Sequence, residues 1–398
     1  MCPSAPARHL DRRQGGGTAE RTGSVAGTTR GPADRAALIL FLHNRYRTTG
    51  GEERAVSDLM WLVREHLGED AELLERDSAL IGRGRAAKGL LRGGLEPEEV
   101  ARAVRRTGAR VVHAHNLQPE FGWRALAAAR EAGARVVVHL HQYRLVCAIG
   151  VCFRAGAECT LCHGRNTLPG VLRRCRGGAA ESAAYGAALA RWQRRLVEQV
   201  DVFVVPSEFA RRRLMELGAP LGTTHVVPHV VRELAAESCA AAGRHALVAA
   251  RLSPEKGVEV AIEACRIAGI PLVVAGDGPE RARLGGGAEF VGQVGDERLA
   301  ELRAASALAI VPSRSGESFG LAAAEAMAAG VPVVASAVGA LPELVPADWL
   351  VGAGDPGALA EAVRRLYGDA DAGATALRIA RERVSSDVVA PALAAVYS

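Results

Sequence analysis

Short apolar runs alternate with helical stretches twice along this chain, and that alternation limits the folds open to it. Strands are predicted at 37–43, 110–115, 134–141 and 201–207 in the first half, and at 245–252, 270–278, 288–294, 307–313 and 331–339 in the second. Segments rich in Ala, Leu, Arg and Glu lie between them, and Gly133 and Gly330 are placed to end two of the helices. Continuous apolar strands separated by helices are typical of parallel sheets covered on both faces. The sequence therefore predicts an α/β protein with two Rossmann-like domains.

The length of the chain also favours two domains, because 398 residues exceed one ordinary hydrophobic core. Residues 1–35 carry almost no large apolar side chains and are predicted to be a disordered leader. The first domain is predicted over 36–228 and the second over 229–385, with a C-terminal helix at 386–398 that packs back on the first domain. A ligand is expected between the domains, at the carboxyl ends of the strands.

The charge of the chain divides unevenly between its two halves. Residues 1–228 contain 34 Lys and Arg against 23 Asp and Glu, and the remainder contains 15 against 21. This asymmetry favours an anionic membrane surface or acceptor for the first half, although solvated arginine-rich helices explain it equally well. Nucleic-acid binding has little support, because the basic residues lack interleaved aromatic side chains. No apolar run approaches the roughly 20 residues of a membrane span, so we expect a cytoplasmic protein and leave open a peripheral contact with the inner face of the membrane.

Two loops that follow predicted strands have the composition of phosphate-binding turns. Gly50 and Gly51 lie between the first strand and a helix, where their backbone amides could approach a phosphate; a plain strand-to-helix connection is the alternative. In SRSGESFGLAAAEAMAAG (313–330), Glu317 lies in the loop and Glu325 two turns into the helix. Glu317 could reach a sugar hydroxyl and Glu325 a ribose, or the first could simply favour the helix dipole and the second be solvated. The amides at this second helix N-terminus are those around Ser318, Phe319 and Gly320.

Two cations follow the first strand of the second half, in the segment RLSPEKG (251–257). Arg251 and Lys256 could point into the same cleft as the two helix N-termini. Fixed cations beside helix N-termini can neutralise a diphosphate without a metal ion. The combination therefore indicates a site that expels a nucleoside diphosphate from a sugar.

Several motifs, in order and spacing, resemble those of family 4 glycosyltransferases, which are retaining enzymes of the GT-B fold. They are RLSPEKG, VAGDGPE (274–280), FVG (290–292), the E-x7-E of Glu317 and Glu325, and ASAVGALPELV (335–345). The resemblance extends from residue 37 to about residue 390, nearly everything beyond the predicted leader. Two departures are Gln142, where relatives often carry Asp or Asn, and PHVV (228–231), where many have Pro-Asn-Gly-Val.

The resemblance implies a role for each matching position. Arg251 and Lys256 match the pair that grips the donor diphosphate, Glu325 the acid that binds the ribose, and Glu317 the acid beside the sugar hydroxyls. His141 matches the histidine near the donor sugar. The remaining matches are the loop whose amides touch sugar and phosphate (Ser318, Phe319, Gly320 and Leu321), the glycines of the first domain (Gly50 and Gly51) and the backbone that meets the nucleobase (Val294).

The implied activity is transfer of a hexosyl unit from a UDP- or GDP-linked sugar to an acceptor hydroxyl, with retention and by front-face attack. The acceptor is expected to be a sugar, a lipid-linked molecule or a small molecule, in polysaccharide, glycolipid or specialised-metabolite synthesis. No cofactor is expected to be required for catalysis. The alternatives are a sugar-nucleotide epimerase of the same fold and a non-catalytic nucleotide-binding protein. A phosphorylase-like enzyme would need a lysine for pyridoxal, and the chain has only Lys88 and Lys256.

Five of the eight cysteines fall between residues 147 and 175, a segment that we interpret as an insert after the fourth strand. Cys159 and Cys162 form a C-x2-C pair, and Cys147 and Cys175 could complete four thiolates around a structural zinc ion. Reduced free thiols or disulfides are the competing interpretations.

Overall fold

A computed structural model describes residues 38–46 and 50–398, and two six-stranded sheets dominate it. Every strand pairing within these two sheets is parallel. The predicted leader at 1–35 and the start of the first predicted strand lie outside the described residues. The α/β class predicted from the sequence is confirmed.

The first half of the chain forms one of the two sheets, which we call the N-terminal sheet. Its strands are β1 (Leu38–Arg45), β2 (Asp70–Asp77), β3 (Val111–Ala114), β4 (Arg135–His139), β7 (Val202–Val205) and β8 (Thr224–Val226), and β5 (Phe153–Arg154) and β6 (Ala157–Glu158) form a separate antiparallel hairpin. The helices are α1 (Gly51–His66), α2 (Arg83–Arg92), α3 (Pro97–Thr107), α4 (Gly122–Glu131), α5 (Leu168–Leu172), α6 (Ala179–Val197) and α7 (Glu208–Glu216). The strand order is β2-β1-β3-β4-β7-β8.

The second half forms the C-terminal sheet, in the order β11-β10-β9-β12-β13-β14. Its strands are β9 (His245–Ala249), β10 (Leu272–Ala275), β11 (Glu289–Gly292), β12 (Ser306–Val311), β13 (Val333–Ser336) and β14 (Leu350–Val351). The helices are α8 (Val258–Ala268), α9 (Asp296–Ala304), α10 (Leu321–Ala328), α11 (Leu341–Leu344), α12 (Pro356–Leu366), α13 (Ala370–Val384) and α14 (Ser386–Tyr397). Single 3-10 turns occur at Ala240–Ala242, Pro254–Lys256 and Ala347–Trp349.

The strands are continuously apolar because both faces of each sheet are covered. Along β1, Ile39 and Phe41 pack into one core and Leu40 and Leu42 into the core on the opposite face, and none of the four is exposed. Successive side chains of a strand point to opposite faces, so a doubly covered strand carries mostly apolar side chains. This is the physical reason that apolar runs marked the strands in the sequence.

Strand β2 was absent from the sequence prediction. It forms one edge of the N-terminal sheet and pairs only with β1. Its sequence, DAELLERD, is charged and only partly buried, because an edge strand is half solvated. An apolar-run criterion cannot find such a strand.

The last helix of the chain packs against the N-terminal sheet rather than against the C-terminal one. Leu393, Val396 and Tyr397 of α14 are buried in the same core as Ile39 of β1. The Tyr397 hydroxyl lies 2.7 Å from Nδ1 of His113 on β3. The two halves of the chain are therefore joined by a shared core as well as by the polypeptide.

Candidate active site

The order of strands reverses between β9 and β12 in the C-terminal sheet, so the loops after these two strands diverge on the same edge. Those loops are Ala250–Gly257, which contains RLSPEKG, and Pro312–Gly320, which contains SRSGESFG. Ligands of open parallel sheets bind outside the carboxyl ends of the strands at such a switch point. The topology therefore explains why segments about 60 residues apart meet here.

Lys256 and Glu317 form an ion pair at this switch point. Lys256 Nζ lies 2.6 Å from Glu317 Oε1, and the Ser313 hydroxyl donates to the same oxygen. Burial alone would raise the pKa of Glu317, but the Lys256 ammonium and the hydrogen bonds from Lys256 and Ser313 hold that pKa below its ordinary value. Glu317 is therefore an ionised acceptor that can receive hydrogen bonds from hydroxyl groups.

Arg251 lies in the same loop, but its guanidinium is paired locally. Arg251 Nη2 lies 2.6 Å from Oε1 of Glu255, and the Ser253 hydroxyl donates to the same oxygen at 2.6 Å. The Arg251 side chain remains 55% exposed, whereas Glu255 is buried. Sequence analysis did not single out Glu255, which holds the arginine at the start of the loop.

The N-terminus of α10 follows Glu317 and contacts the first half of the chain. Gly320 has a left-handed backbone, with φ of +95°, and precedes the first helical residue, Leu321. The Ser318 hydroxyl donates to the backbone oxygen of His141 at 2.7 Å. Phe319 packs edge-on against the ring of His229, with centroids 4.9 Å apart. These contacts hold the α10 N-terminus against the carboxyl edge of the N-terminal sheet.

The N-terminus of α1 lies opposite that of α10. A Cβ built on Gly51 would lie 3.5 Å from the Leu321 Cδ2 atom, so the two helix starts are in contact distance. The backbone N–H of Gly50 donates to Glu53 at 2.8 Å, and the N–H of Tyr46 donates to the same carboxylate at 3.0 Å. The backbone N–H of Gly50, which was expected to approach a phosphate, is therefore already bonded to Glu53. Residues 47–49 of this loop lie outside the described part of the chain.

Glu325 is buried between two arginines, and the interpretation of it as a solvated acid is wrong. Its side chain is 9% exposed and lies in the second turn of α10. One carboxylate oxygen accepts from Arg303 on α9, and the other lies 2.8 Å from Nε of Arg54 on α1. Arg54 also bonds Asp296 at 2.9 Å, so the arginine bridges the two halves of the chain. Sequence analysis missed both arginines because neither has a local signal.

His141 belongs to a stack of buried imidazoles at the carboxyl edge of the N-terminal sheet. Its ring lies 4.1 Å from that of His139 and 5.1 Å from that of His229. Its Nε2 atom is 2.7 Å from Nδ1 of His115. His113 continues the stack on β3, 4.5 Å from His115. The motifs H-A-H (113–115) and H-L-H (139–141) were the available sequence signal.

The imidazoles of this stack are held in their neutral form. Burial, followed by the neighbouring imidazoles, lowers the pKa of His113 and of His141 to about 3. The same causes lower the pKa of His115, His139 and His229 well below 6.5. Ring nitrogens of neighbouring histidines lie within 4.8 Å of one another, which makes a second proton in the stack costly. Among residues 38–46 and 50–398, two groups of three histidines bring one ring nitrogen each within reach of a single cation. They are His113, His115 and His139, and His139, His141 and His229.

A carboxylate that sequence analysis did not single out, Glu52, bonds the residue that follows His141. Glu52 Oε2 accepts from the Tyr46 hydroxyl at 2.8 Å and from Gln142 Nε2 at 3.0 Å. Burial raises the pKa of Glu52, and the neighbouring His43 and Arg144 oppose that shift. Gln142, one of the two departures from the family pattern, is thus a donor to a buried acid.

The remaining predicted residues lie in two other places. Val294 follows β11 and packs against the apolar cluster that contains Leu247 and Leu302. The cysteines of the insert surround one small cavity next to β5, lined by Cys147, Cys152, Cys159, Cys162 and Cys175. Sequence analysis did not assign Cys152 to this set.

Comparison with known families places the chain in a class. The model for "Glycosyl transferases group 1" matches residues 243–369, and the model for "Glycosyl transferase 4-like domain" matches residues 64–230. Between them they cover most of the chain from residue 64 to residue 369. Two α/β halves, each with a six-stranded parallel sheet, are the GT-B arrangement. The chain belongs to the group 1 glycosyltransferases with the GT-B fold, as the resemblance predicted.

Individual relatives agree with this assignment over part of their length. The GDP-mannose-dependent alpha-(1-6)-phosphatidylinositol dimannoside mannosyltransferase of Mycobacterium tuberculosis is 36% identical over 198 residues, which is 43% of this chain and 50% of the relative. Glycogen synthase of the same species is 36% identical over 173 residues, covering 38% and 41%. This chain thus spans about half the length of the curated relatives it matches.

Solved structures with the same fold cover nearly the whole chain. Sucrose-phosphate synthase from Thermosynechococcus elongatus superposes with a TM-score of 0.65 at 20% identity, over 91% of this chain and 98% of that one. Anabaena HepE in complex with UDP and glucose superposes with a TM-score of 0.59 at 18% identity, over 90% and 99%. These similarities establish the fold of the chain.

Proposed function

We propose that this protein transfers a hexosyl unit from a nucleoside diphosphate sugar to an acceptor hydroxyl. The observation that carries the proposal is the Lys256–Glu317 pair at the β9/β12 switch point, beside the N-terminus of α10. A cation, an ionised carboxylate and a helix N-terminus at one strand edge supply, respectively, a diphosphate contact, a sugar-hydroxyl acceptor and a second anion contact. Family membership favours the same use of these residues.

The donor diphosphate binds between the two sheets in this proposal. Lys256 and the exposed guanidinium of Arg251 contact the phosphates, and the helix starts at Gly51 and Leu321 complete the positive end of the site. These groups provide the charge compensation for the leaving diphosphate. UDP- and GDP-linked sugars are the expected donors: HepE was solved with UDP and glucose, and the mycobacterial mannosyltransferase uses GDP-mannose.

The ribose of the donor approaches Glu325 in this proposal, and the nucleobase approaches the backbone at Val294. Both oxygens of Glu325 already contact arginines, so the ribose hydroxyls share the carboxylate with Arg303 and displace Arg54. Arg54 retains Asp296 as a partner when it moves.

Transfer proceeds by front-face attack with retention of configuration. The bond between the anomeric carbon and the diphosphate oxygen breaks, a bond from that carbon to the acceptor oxygen forms, and the acceptor proton passes to the leaving phosphate. Lys256, Arg251 and the helix amides stabilise the charge that develops on the phosphate, where preorganised electrostatics are most effective. Glu317 holds the sugar through its hydroxyls. His141, kept neutral by burial, orients the sugar rather than acting as a base.

The acceptor side lies in the N-terminal half, whose excess of basic residues favours an anionic or lipid-linked acceptor. The mycobacterial relative acts on phosphatidylinositol dimannoside, and another structural neighbour takes part in avilamycin A biosynthesis. Lipid-linked, saccharide and small-molecule acceptors are therefore the classes to assay. Among residues 38–46 and 50–398, no helix has the length and apolarity needed to cross a membrane.

The two lysines of the chain allow a direct test of the donor site. Lys256 lies in the proposed site with 29% of its side chain exposed, and Lys88 is exposed on α2, away from it. UDP, GDP, ADP and their sugar conjugates are compared for protection against an amine-acetylating reagent, with modification read by peptide mass spectrometry. A nucleotide that fills the site should slow acetylation of Lys256 and leave that of Lys88 unchanged. Equal labelling of Lys256 with and without every nucleotide would contradict the donor-site assignment.

Turnover separates the proposed activity from its alternatives. A ligand at 100 times its Kd stabilises the fold by about 2.7 kcal/mol, so the nucleotide found by footprinting should raise the melting temperature of wild type and of Lys88→Met but not of Lys256→Met. The matching sugar nucleotide is then incubated with each acceptor class, and the anomeric configuration of the product is read by NMR. Binding without sugar transfer would favour a non-catalytic protein, and a changed donor sugar without any acceptor would favour an epimerase.

A further inference from the structure

Five thiols from three separate segments converge on one cavity in the insert between β4 and α6. Cys147 and Cys152 precede β5, Cys159 and Cys162 follow β6, and Cys175 follows α5. The cavity measures about 20 Å³, about the volume of one water-sized sphere. Its other lining side chains are mostly apolar, with arginines as the charged members. All five cysteines are unbridged.

The local backbone supports these thiols as ligands. The backbone N–H of Gly150 donates to the sulfur of Cys147 at 3.3 Å, the type of bond that stabilises a thiolate. Gly170 lies so close to Cys162 that a Cβ built on it would be 3.3 Å from the sulfur. The N–H of Cys175 donates to the backbone oxygen of that same Gly170 at 3.0 Å. Cys162 and Cys175 are therefore brought together by the turn of chain between them.

From β5 to Cys175 the insert contains little regular structure. Its regular elements are the hairpin β5–β6, in which each strand has two residues, and the single-turn helix α5. Leu168 and Leu172 of α5 are 57% and 71% exposed, so this helix contributes little apolar burial. Small loop-rich segments that lack a core are commonly held by a metal or by disulfides.

We propose that Cys147, Cys159, Cys162 and Cys175 bind one structural Zn²⁺ ion. Four thiolates form a closed tetrahedral set, and C-x2-C supplies two of them in the usual spacing. Each thiol loses its proton to solvent as its zinc–sulfur bond forms, with no change of oxidation state. Cys152 lines the same cavity as a fifth thiol and stays outside the four-ligand set in this proposal.

The proposed ion also fixes the insert against the loop that carries Glu317. Cys159 adjoins Glu158, whose Oε1 lies 2.7 Å from Nη2 of Arg213 on α7. A Cβ built on Gly316 would lie 3.6 Å from the same Glu158 oxygen. Zinc at Cys159 therefore restrains the hairpin at the point where it touches the neighbour of Glu317.

Metal content of the full chain tests the site and its ligands. Wild type expressed with zinc should carry about one Zn²⁺ per chain by elemental mass spectrometry. Cys175→Ser should lose most of it, whereas Cys152→Ser should retain it. Cys265→Ser, which alters a buried thiol in α8 outside the insert, is the matched control and should also retain it. A wild type that binds no zinc after reconstitution overturns the site, and loss in Cys152→Ser with retention in Cys175→Ser overturns the ligand set.

Two measurements on wild type keep the test independent of variants that fail to fold. Co²⁺ in place of Zn²⁺ should give thiolate-to-cobalt charge-transfer absorption, whereas absorption of d–d type alone would contradict thiolate ligation. Removal of zinc by a chelator should speed amide hydrogen exchange at 153–158 and leave exchange in α12 unchanged. Unaltered exchange in the hairpin would contradict the structural role.

Discussion

Lowering the pH from about 7.5 to about 5 should lower the free energy of unfolding of this protein substantially, because its histidine stack must stay neutral in the folded state. His113 and His141 have a folded pKa of about 3, against an ordinary value of 6.5. The unfolded chain therefore binds more protons than the folded chain between these values. Stability is fully present above the unfolded pKa of 6.5 and is lost progressively as the pH falls from there toward 3.

The size of the effect follows from linkage. At about pH 5 the unfolded chain gains about 2 kcal/mol for each histidine that is neutral only when folded. The two histidines with a folded pKa of about 3 account for about 4 kcal/mol, and His115, His139 and His229 are shifted in the same direction and add to this loss. The whole unfolding free energy of an ordinary domain is about 5–15 kcal/mol.

Two carboxylates oppose this effect as the pH falls. Burial raises the pKa of Glu52 and of Asp58, so protonation of these two groups favours the folded state. As the pH falls, their contribution develops between the raised folded pKa and the ordinary values of 4.5 and 3.8, so it offsets part of the loss that the histidines cause. The histidine contribution is therefore measured as the difference between wild type and a histidine variant, because the two carboxylates are the same in both.

The assay is urea unfolding, followed by tryptophan fluorescence and circular dichroism, at several pH values with EDTA present throughout. The matched variant is His229→Asn, which places the residue of many relatives at this position. At about pH 5 it should reduce the pH dependence by about 1.4 kcal/mol per pH unit, the contribution of one proton. His66→Asn removes an exposed imidazole and should reproduce the wild-type curve. An unfolding free energy that is flat from about pH 7 to about pH 5 would refute the reasoning.

Two further predictions concern the C-terminal sheet. Glu325→Gln should lower the unfolding free energy by about 3–5 kcal/mol, because it removes the carboxylate that pairs with Arg303, a side chain only 8% exposed. The control is Glu301→Gln, which alters an exposed acid on the neighbouring helix and should lower the unfolding free energy by less than about 1 kcal/mol. Denaturant titrations of both variants decide this, and equal costs would show that the pair is effectively solvated. Gly276→Ala should lower the unfolding free energy by more than about 2 kcal/mol, because φ of Gly276 is +141° and a Cβ would overlap the backbone carbonyl of Ala250. Gly285→Ala is the control and should be near neutral, because a Cβ at Gly285 meets no atom within 4 Å. A calorimetric melting temperature unchanged in the first of these glycine variants would contradict the backbone argument.

The comparison of sequence and structure shows which signals are local. The strands β1, β9 and β12 were recognisable because strands covered on both faces must be apolar throughout. The two helix ends marked by Gly133 and Gly330 were recognisable because both glycines adopt positive φ, of +96° and +71°. The order of such elements predicted two Rossmann-like domains, the resemblance of the motifs to a known family implied the GT-B fold, and that fold is confirmed.

The candidate site was predictable only as a set of residues, not as an arrangement. RLSPEKG and SRSGESFG identified Arg251, Lys256 and Glu317 as candidates, but the local partner of Arg251 and the pairing of Lys256 with Glu317 emerge from geometry. The contact of Glu325 with Arg54 joins positions 271 residues apart, and no local pattern carries such information.

By itself, the sequence determined the class of the protein, the positions of most strands and the types of residue available for chemistry. Periodicity, glycine placement and motif spacing are properties of neighbouring residues, so they can be read along the chain. The tertiary structure alone decided which charges neutralise one another, where five histidines from β3, β4 and the segment after β8 stack, and which thiols share a cavity. Pairing, burial and the resulting pKa shifts depend on distances in space, which parallel strands and their crossovers set between residues far apart in the chain.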